Sequence, residues 1–345
     1  MKRALVMTSL TVLLVSATVG AQPSAIPRVA TPTTVKYGWT TGSMSLAGVF
    51  VAMEKGYFRD ANITTELVGV AGMGELIPPL ATGELDLGTN GPSVALFNAI
   101  GRGVKLRIVA DQNTALPGRS FFALMIRKDL YDSGQVKSFA DFKGKRFATS
   151  TRKTTVEQDL EKGLSGAGLK LSDVNIVTMG WPQINAALAS KAIDVSFQIE
   201  PLVTVAVREG IAVRWKGLDE ITPYRQNSFV VASERFMANR ELARAWMTAY
   251  VRGIRDYNDA VIKKRDREAI VQILMKHSSV KDRGLYDQMV MPGIHPDGDV
   301  NAVSIREALA AFKASGDVTG EVDLDRIIDV SAVRFAREVL GPARP

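Results

Sequence analysis

The chain has 345 residues, 46% of them hydrophobic and 23% charged, with a formal net charge of +7 and no cysteine. That length can bury a substantial core and suits two domains. Without Cys, thiol nucleophiles, disulfides and Cys-ligated metal sites are excluded. The positive charge is dispersed, with no dense Lys/Arg run to suggest nucleic acid.

Lys2 and Arg3 precede a largely apolar stretch, Ala4 to Val19, and the small residues Val19-Gly20-Ala21 stand before Gln22-Pro23. This is the pattern of a secretory signal peptide over 1–21, cleaved near Ala21. The stretch is too short and too interrupted for the roughly 20 apolar residues of a membrane span, and no later stretch reads as one. No Cys is available for lipid modification, and loss of Lys2 and Arg3 lowers the charge from +7 to +5. The expectation is a soluble protein in the periplasm or another extracytoplasmic space.

Residues 22–33 are rich in Pro, Ala and Thr and read as a flexible leader. Thr34 to Trp39 predicts a strand, Thr40-Thr-Gly-Ser43 a turn whose hydroxyls can cap a helix, and Leu46, Val49, Phe50 and Met53 recur at helical spacing. Ile63 to Val70 predicts a second strand, and Ala71-Gly-Met-Gly74 turns into another helix through Leu76 and Leu80. Gly72 and Gly74 there suggest a close backbone approach. Further on, Lys145 to Ala148 predicts a strand, Thr149 to Thr155 a polar turn, and Val156, Leu160 and Leu164 a helix face. Val174 to Met179 is a strand and Trp181-Pro182-Gln183 begins a helix. The order is β-α-β-α-β in each half, which argues for parallel sheets.

One segment occurs twice. Leu80-Ala-Thr-Gly-Glu-Leu-Asp-Leu-Gly-Thr-Asn-Gly-Pro92 returns 108 positions later as Leu188-Ala-Ser-Lys-Ala-Ile-Asp-Val-Ser-Phe-Gln-Ile-Glu-Pro201, and the turns at Thr40 and Thr149 lie 109 apart. Each copy reads as a helix end, a turn, an Asp and a short apolar strand running into a loop. In open α/β sheets ligands gather at the carboxyl ends of strands, so two such ends imply a cleft between two lobes. Ser120 to Arg127 and Asn227 to Ala232 are strand signals assigned to the crossings between the lobes. The helical patterns at Glu241–Tyr257, Arg267–Met275 and Ser304–Phe312 are expected to rejoin the first lobe. The division is then lobe 1 at 34–124 and 226–345, with lobe 2 an insert at 125–225.

Gly56-Tyr-Phe58, Leu80 to Asp86, Phe139-Ala-Asp-Phe-Lys-Gly-Lys145, Ala192-Ile-Asp194 and Glu200-Pro201 together resemble the nitrate/sulfonate/taurine-type periplasmic solute-binding proteins of ABC transporters, part of a superfamily that also binds thiamine-pyrimidine precursors. The resemblance covers about 34–340. It implies an α/β, type II periplasmic binding protein fold, with two β-α-β lobes joined by a two-strand hinge around a ligand cleft. It also implies a monomer that closes on a small-molecule ligand and docks on a permease served by a cytoplasmic ATPase, with no cofactor.

The candidate ligand-binding residues follow from the turns and loops. Trp39, Thr40, Thr41 and Ser43 flank the first turn, and Thr151, Arg152, Thr154 and Thr155 the equivalent second one. Gly72 and Met73 open a third helix and Trp181 a fourth. Asn90, Gly91 and Ser93 lie on the first copy of the repeat, Gln198 and Glu200 on the second, and Asn113 and Asn227 near strand ends. Helix starts offer free N–H groups to an anion, and Arg152 could grip a sulfonate or carboxylate through two donors. Each Thr or Ser is equally readable as a simple cap, Arg152 as solvent-facing, and each Trp as core. Glu200 conflicts with an anion. Asp86 and Asp194 read as turn formers.

A small organic anion, a sulfonate or an aromatic or other organic acid, is the expected ligand, with nitrate as the inorganic alternative. Trp39, Trp181 and Phe197 would instead suit an aromatic acid or a thiamine-type pyrimidine through stacking, and the bulkier second copy of the repeat is expected to set selectivity. The resembling thiamine-pyrimidine enzymes use a Cys-rich motif and a histidine. Here Cys is absent, and His277 and His295 lie 18 apart in the C-terminal region, outside metal-ligand spacing. Gly69 to Gly74 resembles a dinucleotide loop but lacks its second Gly. The reading is a binding protein and not an enzyme; a ligand-sensing subunit is the remaining alternative.

Overall fold

The computed structural model describes residues 26–41 and 43–343. The expected signal peptide falls outside the described residues, as does the part of the expected leader before residue 26. The rest of that leader is not loose, since Ile26 and Val29 are buried in the core of the first sheet and Val29 N donates to Ala61 O at 3.0 Å. The chain forms two sheets of five strands. The first runs β2-β1-β3-β10-β4, with β1 Thr33–Thr40, β2 Ile63–Val70, β3 Leu87–Asn90, β4 Leu106–Thr114 and β10 Gln226–Ser233. The second runs β7-β6-β8-β5-β9, with β5 Phe122–Arg127, β6 Arg146–Thr149, β7 Asn175–Thr178, β8 Val195–Ile199 and β9 Ala212–Gly217.

Both sheets have one plan. β1 pairs in parallel with β2 and β3, and β6 with β7 and β8. An antiparallel strand then separates the third strand from the last: β10 in the first sheet, β5 in the second. The chain therefore crosses between the sheets twice, entering the second at β5 and returning to the first at β10. The segments that cross between sheets are 115–121 and 218–225, not the strands β5 and β10 themselves, which lie within the sheets. The two crossing segments pair with each other, Ala115 N donating to Arg225 O (2.8 Å) and Tyr224 N to Ala115 O (2.8 Å). β4 and β9 are strands the sequence patterns did not announce.

The repeated Asp explains why the copies fold alike. Asp86 Oδ2 accepts from Lys36 N at 2.9 Å, and Asp194 Oδ2 from Arg146 N at 3.0 Å. Each Asp backbone N–H returns the bond, to Lys36 O at 3.0 Å and Arg146 O at 2.9 Å. The carboxylates thus lock the third strand of each sheet to the first, in matching register: Tyr37 opposite Leu87, Phe147 opposite Val195. They do more than shape a turn.

The helix Arg240–Ile262 buries one face against the first sheet and the helix Ala47–Glu54. In its second turn the fully buried Trp246 stacks with Tyr37 (5.8 Å), Phe58 (5.1 Å) and Tyr250 (5.3 Å) and donates its indole N–H to Thr65 Oγ1 (3.1 Å). Aromatic burial with the polar tip satisfied is the strong way to anchor a helix on a sheet. No helix among the described residues is long and apolar enough to cross a membrane.

Candidate functional site

Between the two sheets lies a cleft of about 690 Å³, counted out to its mouth. Its walls come from the carboxyl ends of the parallel strands and the loops that follow. The first sheet supplies Thr40, Ser43 and Ser45 after β1, Ala71, Gly72 and Met73 after β2, Thr89, Gly91 and Pro92 around the end of β3, and Asn227 and Ser228 in β10. The second supplies Phe121 and Phe122 beside β5, Thr149, Ser150, Thr151, Thr154, Thr155 and Val156 after β6, Trp181 after β7, and Ile199 at the end of β8. None of these side chains is ionisable in the physiological range.

Helix starts converge on the cleft. Ser43 caps the turn Met44–Leu46 that leads into the helix Ala47–Glu54, accepting from Ser45 N at 3.2 Å. Thr154 and Thr155 begin the helix Thr155–Gly166, and Trp181 begins the helix Trp181–Ala189. Free N–H groups and the positive dipole end at such starts suit an acceptor-rich or anionic group. Three polar atoms on the first-sheet wall are buried without a hydrogen-bond partner among the described residues: Thr40 Oγ1, Asn227 Oδ1 and Ser228 Oγ. Buried polar groups are rarely left unpaired, so this wall is chemically incomplete as it stands.

Ten of the expected site residues are brought together on the cleft: Thr40, Ser43, Gly72, Met73, Gly91, Thr151, Thr154, Thr155, Trp181 and Asn227. Eight are placed elsewhere. Trp39 packs edge-on against Phe50 at 5.6 Å. Thr41 is exposed after β1, donating its N–H to Val70 O at 3.1 Å. Ser93 caps the helix Val94–Gly101, accepting from Leu96 N at 3.3 Å. Arg152 is bound by Glu157 and half exposed, so its fork is already occupied. Asn113 is fully buried behind Asn227.

Asn90 and Gln198 hold the walls from behind, in the same way. Asn90 Nδ2 donates to Met73 O (3.3 Å) and Gln198 Nε2 to Trp181 O (3.1 Å), each reaching 17 positions back to a helix start. Each amide oxygen accepts from the next backbone N–H, Gly91 N (2.9 Å) or Ile199 N (3.0 Å). Glu200 also points away from a ligand. Its Oε2 accepts from Thr204 N (3.0 Å) and Thr204 Oγ1 (2.8 Å), and its Oε1 from Val290 N (3.3 Å). Burial pushes its carboxyl above the ordinary range against those hydrogen bonds. The conflict between Glu200 and an anion is thereby removed.

Other expectations also change. Phe197 is core, edge-on to Phe147 at 5.1 Å, so it cannot stack on a ligand. The second copy of the repeat contributes only Ile199 to the cleft, and most of the polar lining near the repeat comes from the first copy and β10. Gly72 and Gly74 are not tight: an added Cβ would meet only Glu75 Oε1 at 3.6 Å, or nothing within 4 Å. Ser45, Thr89, Phe121, Phe122, Thr149, Ser150 and Ser228 are lining residues that the sequence reading missed. Only the hydroxyls of Ser45, Thr149 and Ser150 carried a signal, as neighbours of the two predicted turns.

The cleft is bridged at its rim. Val94 N donates to Lys153 O at 3.1 Å and Ser93 pairs with Thr154. Lys153 forms an ion pair with Asp317, and Gln158 Nε2 donates to Ala308 O at 3.1 Å. Among the described residues there is no group of three His, Cys, Asp or Glu side chains placed to hold a metal.

Two α/β sheets of one strand order, linked by two crossing segments and enclosing a cleft at their carboxyl edges, are the periplasmic binding protein fold. Solved structures of that fold align over almost their whole length. The alkanesulfonate-binding protein SsuA from Xanthomonas axonopodis pv. citri, bound to MOPS, gives a TM-score of 0.69 at 17% identity, covering 87% of this chain and 99% of that one. The aliphatic sulphonate binding protein SsuA from Escherichia coli gives 0.68 at 18% identity, covering 88% and 99%. The nitrate-binding protein NrtA from Synechocystis PCC 6803 gives 0.71 at 16% identity, covering 89% of each. The chain belongs to the NMT1/THI5-like family, whose model matches residues 43–259. The chain spans about half the length (49%) of the curated relatives it matches at 27% identity over 169 residues, among them "Putative binding protein BAB2_1146" of Brucella abortus (strain 2308).

Proposed function

We propose that this protein is the exported solute-binding component of an ABC importer. In this reading it captures a small organic anion in the cleft by closure of the two lobes built on the two sheets, and delivers it to a membrane permease. The crossing segments 115–121 and 218–225 are the hinge, which must absorb the dihedral change of closure. The observation that carries the ligand class is a cleft with hydroxyls and helix starts on both sides and no carboxylate among the described residues of its lining. An anion there meets dipoles and O–H donors without repulsion. Phe121, Phe122 and Trp181 add an apolar wall, Trp181 lying edge-on to Phe122 at 5.9 Å, which suits an organic body better than a bare inorganic ion. Structural neighbours that bind sulfonates, one of them with the organic sulfonate MOPS, support the same class.

The protein acts by binding and not by turnover. Among the described residues its cleft hydroxyls have no His, Lys or carboxylate in the lining to activate them. A thermal-shift and calorimetric screen of the mature protein against alkane- and arenesulfonates, aromatic carboxylates, nitrate and pyrimidines tests this. Organic anions should raise the melting midpoint with ligand concentration. Because no described lining group titrates, affinity for a permanently ionised sulfonate should stay constant from about pH 7.5 to 9. Binding confined to uncharged compounds, or lasting consumption of a bound compound, would overturn the reading.

A further inference from the structure

The polarity of one cleft wall is fixed by a relay of amides. Gly293 O can only accept, and Asn113 Nδ2 donates to it at 3.1 Å. Asn113 must therefore turn its Oδ1 the other way, where Asn227 Nδ2 donates to it at 3.2 Å. Amide orientation is assigned through such networks, and here a fixed backbone carbonyl sets it. Flipping either side chain would set two acceptors, or two donors, against each other.

The origin of the relay is immobile. Gly293 is locked by Gly293 N donating to Arg119 O (2.9 Å) and Thr114 N to Gly293 O (2.9 Å). A Cβ on it would lie 2.5 Å from Thr114 O, so no other residue fits without a backbone shift. Asn227 lines the cleft, and the relay leaves its Oδ1, itself buried, as an acceptor with no partner among the described residues, only 5% of the residue being exposed. The unpartnered hydroxyls nearby, Thr40 and Ser228, can each rotate to donate or accept. Asn227 cannot.

We propose that Asn227 determines specificity by requiring an O–H or N–H donor on the ligand, so that among the organic anions of the preceding reading, on which this rests, the protein selects hydroxy- or amino-substituted ones. An anion offers acceptors to the helix starts but nothing to Asn227 Oδ1. Closure over a ligand without a donor leaves that oxygen buried and unpaired, a loss of roughly tenfold or more in affinity.

Calorimetry on matched pairs tests this: ethanesulfonate against 2-hydroxyethane- and 2-aminoethanesulfonate, benzenesulfonate against its hydroxy isomers, and the uncharged pair anisole and phenol. In at least one anionic pair the donor-bearing member should bind about tenfold or more tightly. Asn113→Leu frees the Asn227 amide to turn, and Asn227→Leu removes it, so both should bring that ratio towards one. Equal affinity within every pair, or a ratio that survives Asn227→Leu, overturns the inference while leaving the anion reading intact. Binding of phenol alone, with no anion bound, supports the donor rule and overturns the anion reading. Binding of no compound counts against both. The comparison of pairs in the unaltered protein does not depend on either variant folding.

Discussion

Gly91 has no room for a side chain: a Cβ on it would stand 2.4 Å from Asn227 O, on the wall that carries the unpartnered acceptor. Gly91→Ala must push β3 and β10 apart, and overpacking of this kind costs about 1–3 kcal/mol. The expected result is a melting midpoint lower by several degrees in circular dichroism and at least tenfold weaker binding of the best organic anion by calorimetry. Undiminished affinity would remove the β3 loop from the site. At this scale the helix-start hydroxyls were readable, because a Thr or Ser in a turn before a helix sits at a strand end in an α/β unit. Arg152 and Glu200 were misread as cleft groups because their true partners, Glu157 and the Thr204 and Val290 N–H groups, take up their charge locally. Phe121, Phe122 and Ser228 left no local signal, since which face of a strand meets the cleft depends on sheet register and bulges. β10 is irregular at this place, with shifts on both sides of Ser228.

The first and third strands of each sheet are tied by one Asp, but the ties are not equally strong. Asp194 accepts from both Arg127 (2.9 Å) and Arg146 (2.8 Å), with Arg127 only 11% exposed. Asp86 has Arg235 alone, at 2.9 Å and 67% exposed. Exposed ion pairs contribute little, whereas mostly buried charge-assisted bonds contribute more. Asp194→Ala should therefore destabilise by about 2–3 kcal/mol and Asp86→Ala by about 1 kcal/mol, compared by urea denaturation. The reverse ranking would show that the backbone bonds, which are equal in the two sheets, set the cost. The repeat made these elements legible: the strand, turn and helix order recurs because the same packing problem is solved twice. β4 and β9 were missed because Leu106-Arg-Ile-Val-Ala-Asp and Ala212-Val-Arg-Trp-Lys-Gly mix charge into short apolar runs. The seating of β5 and β10 was half legible. Both strands were found, but their antiparallel seats in the sheets are long-range facts that no local pattern encodes.

For the molecule as a whole, the junction of the two units concentrates buried carboxyls. Asp111 is fully buried in β4. Its Oδ2 accepts from His295 N (2.6 Å) and its Oδ1 from Gln226 Nε2 (2.6 Å) and Thr114 Oγ1 (3.1 Å), joining both sides of the hinge to the segment after Val290. Burial raises its pKa from 3.8 to about 6, against those hydrogen bonds. Burial likewise raises Asp159, although Arg225 beside it pulls the other way, and it raises Glu200. A carboxyl with a raised folded pKa binds its proton more tightly in the native state than in the unfolded chain. Its contribution to stability is therefore full below the unfolded value, near 4, and is lost as pH rises through about 6. For Asp111 alone the difference is at most about 3 kcal/mol. The carboxyls held low by ion pairs, such as Asp129 with its pKa near 2 beside Arg127, act in the opposite sense, but only below about pH 4. Between pH 5 and 7.5 Asp111 governs, and unfolding free energy should fall as pH rises. Urea denaturation at several pH values should show that decline in the unaltered protein and a clearly shallower one in Asp111→Asn, even if the variant is less stable throughout. An identical slope in the two would mean that Asp111 is already ionised at pH 5 and that the hinge carries its charge across the whole range.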